Sequence, residues 1–126
     1  MTLSSSYGRL RPTGGLELWS WVFMRASGLL LLFLALGHLI LMHLVHTVDE
    51  IDYAFVAGRY VWWFWRGYDL LMLLLAMVHG VNGVRVIIDD YLHRPLPRRL
   101  ALGFLYTVCG GLTLLGTAVA LFFQPS

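Results

Sequence analysis

The sequence has no lysine: all nine basic residues are arginine, set against seven Asp and Glu. Charged residues make up 13% of its 126 positions, about half the share near 25% of a soluble globular domain. The net charge of +2 is not gathered in a tail, so composition argues against a nucleic-acid partner. A single cysteine, Cys109, excludes an internal disulfide. It also excludes an iron–sulfur cluster held by this chain, which needs several thiolates. Cys109 lies in an apolar run and reads as a small packing residue. No nucleotide motif, internal repeat or low-complexity segment is found. The chain therefore lacks the parts for soluble redox or group-transfer chemistry of its own.

What is present is hydrocarbon. Apolar residues make up 59% of the chain and the mean hydropathy is +0.73. Three runs, approximately Ala26–Val48, Gly67–Ile88 and Ala101–Phe123, have the roughly 20 residues that cross a bilayer. The expected fold is an all-α membrane protein, one domain over residues 1–126, with helices at about 19–48, 66–91 and 100–123. The first run starts late and is too long for a signal-peptide core, so it is expected to stay as a helix.

The arginines predict the orientation. Arg9, Arg11 and Arg25 lie in the N-terminal part, and Arg94, Arg98 and Arg99 in the second connection, with Arg85 nearby. Arg59 and Arg66 are offset by Asp49, Glu50 and Asp52. The positive-inside rule places the N-terminus and second connection in the cytoplasm and the C-terminus outside. "YVWWFWRGY" (60–68) reads as an interfacial aromatic anchor, and Asp49–Gly58 as a short interfacial turn. The prolines of "HRPLPRR" (93–99) are expected to end the second helix. Gly103, Gly110, Gly111 and Gly116, with Thr113 and Thr117, suit close helix packing.

Ionisable residues inside a membrane are costly and are functional candidates by default. On the second span, His79, Gly83, Val86 and Asp90 fall within roughly 40° of one line. Gly80 and Gly83 leave the surface beside His79 bare, with room for a flat macrocycle. A haem ligand and a neutral histidine bonded across the bundle are equally open readings of His79. If Arg25 and Asp89 mark one surface, His79 lies about 15 Å below it, His38 about 20 Å and His43 about 27 Å. His38 is then the expected partner in depth, and His46 an interfacial residue. Arg25, Ser27, Asp90 and Tyr91 are expected to gather at the inner interface. Arg grips carboxylates at two points, and the hydroxyls suit a quinone carbonyl. An ordinary interfacial belt with one Arg–Asp pair is the competing reading.

"WVFMRASGLLLLFLALGHL" (21–39), "FVAGR" (55–59) and "HGVNGVRVIIDDY" (79–91) resemble the small hydrophobic anchor, the D-type subunit, of succinate dehydrogenases. The actinobacterial forms are the nearest in pattern, and the likeness runs from about Trp19 to Phe123. Its most specific element is a His followed twelve residues later by the Tyr of an Asp-Tyr pair, matched by His79, Asp90 and Tyr91. The resemblance implies that His79 is an axial ligand of haem b, the other coming from a second anchor subunit. It implies that Tyr91 bonds the quinone, that Asp90 belongs to the same network, and that Arg25 contacts a haem propionate or the quinone pocket. Ser27 matches a small hydroxyl position. His38, in "GHL", resembles the first-helix ligand of two-haem anchors, and His43 is a weaker match. One haem is expected, with a second at His38 as an option, and menaquinone or ubiquinone as substrate.

The implied partners are a second anchor, an iron–sulfur subunit and a flavoprotein, in a bacterial inner membrane. The chain would dock the soluble subunits and would not be catalytic alone. The alternatives are a structural anchor without haem, a subunit of another cytochrome b system, or a small proton-conducting protein.

Overall fold

The computed structural model describes residues 15–124; Arg9 and Arg11 lie outside them. Four α-helices follow one another: α1 (Gly15–Ile40), α2 (Tyr53–Tyr60), α3 (Trp63–Tyr91) and α4 (Pro95–Phe122). Three helices, over Leu18–Val45, Trp63–Tyr91 and Pro95–Phe122, are long and apolar enough to span a bilayer. At 1.5 Å per residue, α3 extends for about 43 Å, more than the hydrocarbon core needs. The expected all-helical membrane fold is found.

The helix ends differ from expectation in instructive ways. α1 begins at Gly15, and its regular winding stops at Ile40. Leu41–Val45 continue as a wider π-helical turn, closed by the His46 amide on the Leu41 carbonyl at 3.1 Å. The polar stretch after it is more than a turn. Thr47 and Glu50 cap each other, the Thr47 amide donating to Glu50 Oε2 at 3.2 Å. Asp52 then caps α2 by accepting from the Phe55 amide at 2.8 Å. Such caps satisfy the amides that a helix start leaves orphaned. Within the aromatic segment α3 starts earlier than the expected 66, with Trp63–Tyr68 forming its first turns.

Pro95 and Pro97 do not end the second helix. α3 has already stopped at Tyr91, and both prolines open α4. Proline is tolerated in a first turn because its missing N–H would have no partner there.

α3 is the middle element. It packs against α4 most extensively and against α1 and α2 as well, while α1 and α4 meet each other far less. Among the described residues only Ala57, Ala120 and Ser27 are buried. Large apolar side chains cover the outside of all three long helices, as lipid or partner helices require.

Contacts along the chain agree on two antiparallel registers. α1 and α3 meet through Ser27 and His79, through Tyr68, which donates to the Leu34 carbonyl, and through His38 and Asp69. α3 and α4 meet at Asp89–Arg98 (2.7 Å), at Leu73–Gly116 and at Arg66, which binds the Ala120 and Phe123 carbonyls.

Gly116 is the tightest of these. A Cβ there would stand 2.5 Å from Leu73 Cδ2. Leu73 Cδ2 is the free end of a flexible side chain, so Gly116→Ala is expected to turn Leu73 aside at a cost of about 1 kcal/mol, the low end of overpacking. Leu73→Ala in the same chain should recover part of that cost. Thermal unfolding of the two single variants and the double variant checks this; strictly additive effects would show that the two side chains do not meet.

Candidate functional site

The site grows from the RASG stretch of α1. Gly28 has no side chain, so α3 can lay an imidazole against it. A Cβ at Gly28 would come 3.1 Å from His79 Cε1 and 3.9 Å from each ring nitrogen. One residue earlier, Ser27 is only 3% exposed. Its Oγ lies 3.0 Å from His79 Nδ1 and 3.5 Å from the Met24 carbonyl.

These two contacts favour one tautomer. A hydroxyl has a single proton, and the Met24 carbonyl can only accept. With the hydroxyl turned to Met24, Oγ accepts from His79 Nδ1–H. The Nε2 lone pair is then left for another partner. His79 makes no hydrogen bond through Nε2 among the described residues. Gly80 and Gly83 stand in open space, as expected.

The Ser27–His79 contact corrects the assumption about depth. Ser27 lies two residues from Arg25, about 3 Å along the helix, whereas His79 lies ten from Asp89, about 15 Å. Arg25 and Asp89 therefore do not mark one surface; Arg25 sits roughly 12 Å deeper in the bundle. The proposed inner-interface cluster is also divided. Ser27 belongs to His79. Arg25 stacks on the Trp21 ring at 3.6 Å and donates to the Trp21 carbonyl at 3.5 Å. Asp90 and Tyr91 close α3, with Tyr91 78% exposed.

His38 is likewise at another level. It lies beside Asp69, about 15 Å from His79 along α3. Its Nδ1 is 3.9 Å from Asp69 Oδ1, and Arg59 Nη2 approaches the same oxygen at 3.6 Å. All three atoms are buried without a hydrogen bond. The Arg59 guanidinium also stacks on Trp65 at 4.2 Å. A cleft of about 380 Å³ opens here, lined by His38, His43, Arg59, Tyr60 and Asp69 among others. Burial, and after it the Asp69 carboxylate, pushes the Tyr60 phenol above its ordinary value. His46, expected at the interface, packs edge-on against Phe55, with 4.8 Å between centroids.

Sequence reasoning did not foresee this Asp69 cluster. A lone carboxylate inside an apolar span was its available signal. It also passed over Gly28, whose only sign was a glycine next to Ser27, and Arg66. No group of three or more His, Cys, Asp and Glu side chains among the described residues is placed to hold a bare metal ion.

A family model for the succinate dehydrogenase/fumarate reductase transmembrane subunit matches residues 2–120. The chain belongs to that family. Membership makes it an integral membrane subunit of a complex with the other succinate dehydrogenase or fumarate reductase subunits. Among curated proteins none matches the chain significantly.

Proposed function

We propose that the chain is the D-type anchor, of the actinobacterial kind, of a succinate:quinone oxidoreductase of a bacterial inner membrane. In this reading it docks the iron–sulfur and flavoprotein subunits together with a second anchor. His79 is an axial ligand of haem b, and Tyr91 and Asp90 form part of a quinone pocket. The arginine distribution supports a cytoplasmic face at the α3–α4 turn.

The observation that carries the haem reading is the Ser27–His79 contact of 3.0 Å. A ligating histidine is normally held by a hydrogen bond at its other ring nitrogen, which fixes tautomer and ring orientation. Ser27 is suited to that role, and the glycines beside the ring leave a macrocycle room. Haem b, when bound, would supply one-electron transfer. The roles of this chain's residues are simpler. Ser27 holds the Nδ1 proton, Gly28 sets the imidazole against α1, and Tyr91 offers a hydroxyl to a quinone carbonyl.

Arg25 lies nearer the level of His79 than that of Tyr91, which favours a propionate over the quinone as its partner. One haem is proposed at His79; His38, beside Asp69 and Arg59 at the other end of the bundle, stays the option for a second.

The test is a reduced-minus-oxidised spectrum of the purified complex, with extracted haem counted per chain. A b-type spectrum supports the proposal, and a fully assembled complex without one sinks it. Ser27→Ala is expected to keep the haem but bind it about 10-fold or more weakly, with a shifted reduction midpoint. Identical retention and midpoint in that variant would remove Ser27 from the site.

A further inference from the structure

On the far side of α3 from α1, a cleft of about 580 Å³ runs between α3 and α4. Its α3 wall is formed by Met77, Val78, Val81, Asn82 and Arg85, a stripe that lies roughly 60–160° around the helix from His79 and is centred well away from it. Tyr106, Gly110 and Leu114 line the facing wall on α4. The cleft is therefore separate from the His79 face.

Its two ends differ in chemistry. Toward Met77 and Leu114 it is apolar. At the other end Arg85 is exposed, and its Nη2 donates to Asn82 Oδ1 at 3.0 Å. Arg85 meets no carboxylate among the described residues, and Asp89, one turn on, is taken by Arg98. Arg85 lies six residues before the end of α3, about 9 Å inside it. Because α3 is longer than the hydrocarbon core, this level is close to the boundary with the headgroups, where a guanidinium meets lipid phosphates. Exposed Arg94 and Arg99 sit at the same end of the bundle and draw anionic lipids toward it.

We propose that this cleft binds an anionic phospholipid. The headgroup phosphate is gripped by Arg85, held in place by Asn82, and an acyl chain lies in the trough past Gly110. The fork of Arg matches two phosphate oxygens. The trough from Arg85 to Met77 covers eight residues, about 12 Å of acyl chain. Charge complementarity favours this occupant over a partner helix, because an apolar helix would leave the guanidinium unpaired.

The test uses the whole complex, reconstituted in nanodiscs of phosphatidylglycerol mixed with phosphatidylcholine and re-extracted in mild detergent. Retained lipid is identified and counted by mass spectrometry. Phosphatidylglycerol is expected to be retained preferentially. Arg85→Gln should lower that preference about fivefold or more, the scale of one lost charge-assisted contact. Gly110→Leu should empty the trough; a Cβ there meets nothing within 4 Å, and co-purification of the other subunits shows whether the complex still assembles. Gly111→Leu, equally open but outside the lining, should change nothing. Equal retention of both lipids, or retention unaffected by both Arg85→Gln and Gly110→Leu, would overturn the proposal. So would a photo-crosslinker in place of Val81 that joins a protein subunit and not lipid.

Discussion

Replacing His79 with alanine is expected to remove the b-type haem signal from a complex that otherwise assembles. Among the described residues His79 is the one histidine whose Nδ1 meets a buried hydroxyl, Ser27 Oγ at 3.0 Å. Removing the imidazole removes the proposed axial ligand outright, so haem per chain should fall at least tenfold, beyond the loss expected when only a supporting partner is removed. The flavoprotein and iron–sulfur subunits should still co-purify, which separates loss of a ligand from loss of a fold. Gly28→Val approaches the same point from the other helix. Its Cβ would stand 3.1 Å from His79 Cε1, and its methyl groups would push the ring away while leaving the histidine in place. Loss of the spectrum in both variants would tie the haem to this contact. An unchanged spectrum in an assembled His79→Ala complex would end the ligand assignment and favour an anchor without haem.

The second large effect is expected at Arg66. Its guanidinium reaches from α3 to four carbonyls: Ala120 at 3.1 Å, Leu121 at 3.5 Å and Phe123 at 2.6 Å, and, through Nε, Tyr60. The last carbonyls of a helix have no partner within it, and a cation there also complements the helix dipole. Arg66→Ala would leave several of these acceptors short of a donor at once. The loss should be about 2–4 kcal/mol, given 1.5–3 for a single charged hydrogen bond. Arg66→Lys keeps the charge without the fork, and should recover part of the loss. Hydrogen exchange localises the effect. Amides in the last turn of α4 should exchange faster in Arg66→Ala, while those around Ser27 stay as they were. Uniform acceleration along the chain would mean that Arg66 acts on the whole fold and not as a clamp on α4.

Much of the architecture is legible in the sequence because hydropathy and length report it directly. The three spans, the end of α3 at Tyr91 and the bare glycines beside His79 all follow from local composition. Relative depth does not. Arg25 and Asp89 were both expected at one surface, and only the contacts between α1 and α3, the closest of them His79 on Ser27 and Gly28, reveal that the two helices are offset. That register comes from a notch one residue wide, which hydropathy cannot detect. The prolines show a second limit. Pro95 and Pro97 break helices in general, yet a break has two sides, and here they open α4. The Asp69 cluster shows a third. Asp69 stands out in an apolar span, but its neighbours His38 and Arg59 lie 31 and 10 residues away in sequence, so only the fold brings them together.

The central place of α3 has a consequence for how the chain is made. Helices emerge from the ribosome in sequence order, N-terminal first. When α3 enters the membrane, α1 is already there to receive it, and α4 is not yet synthesised. The seat for His79 on Ser27 and Gly28 can therefore form during translation. The opposite flank of α3, with Leu73 and Arg66, waits for the last helix to arrive.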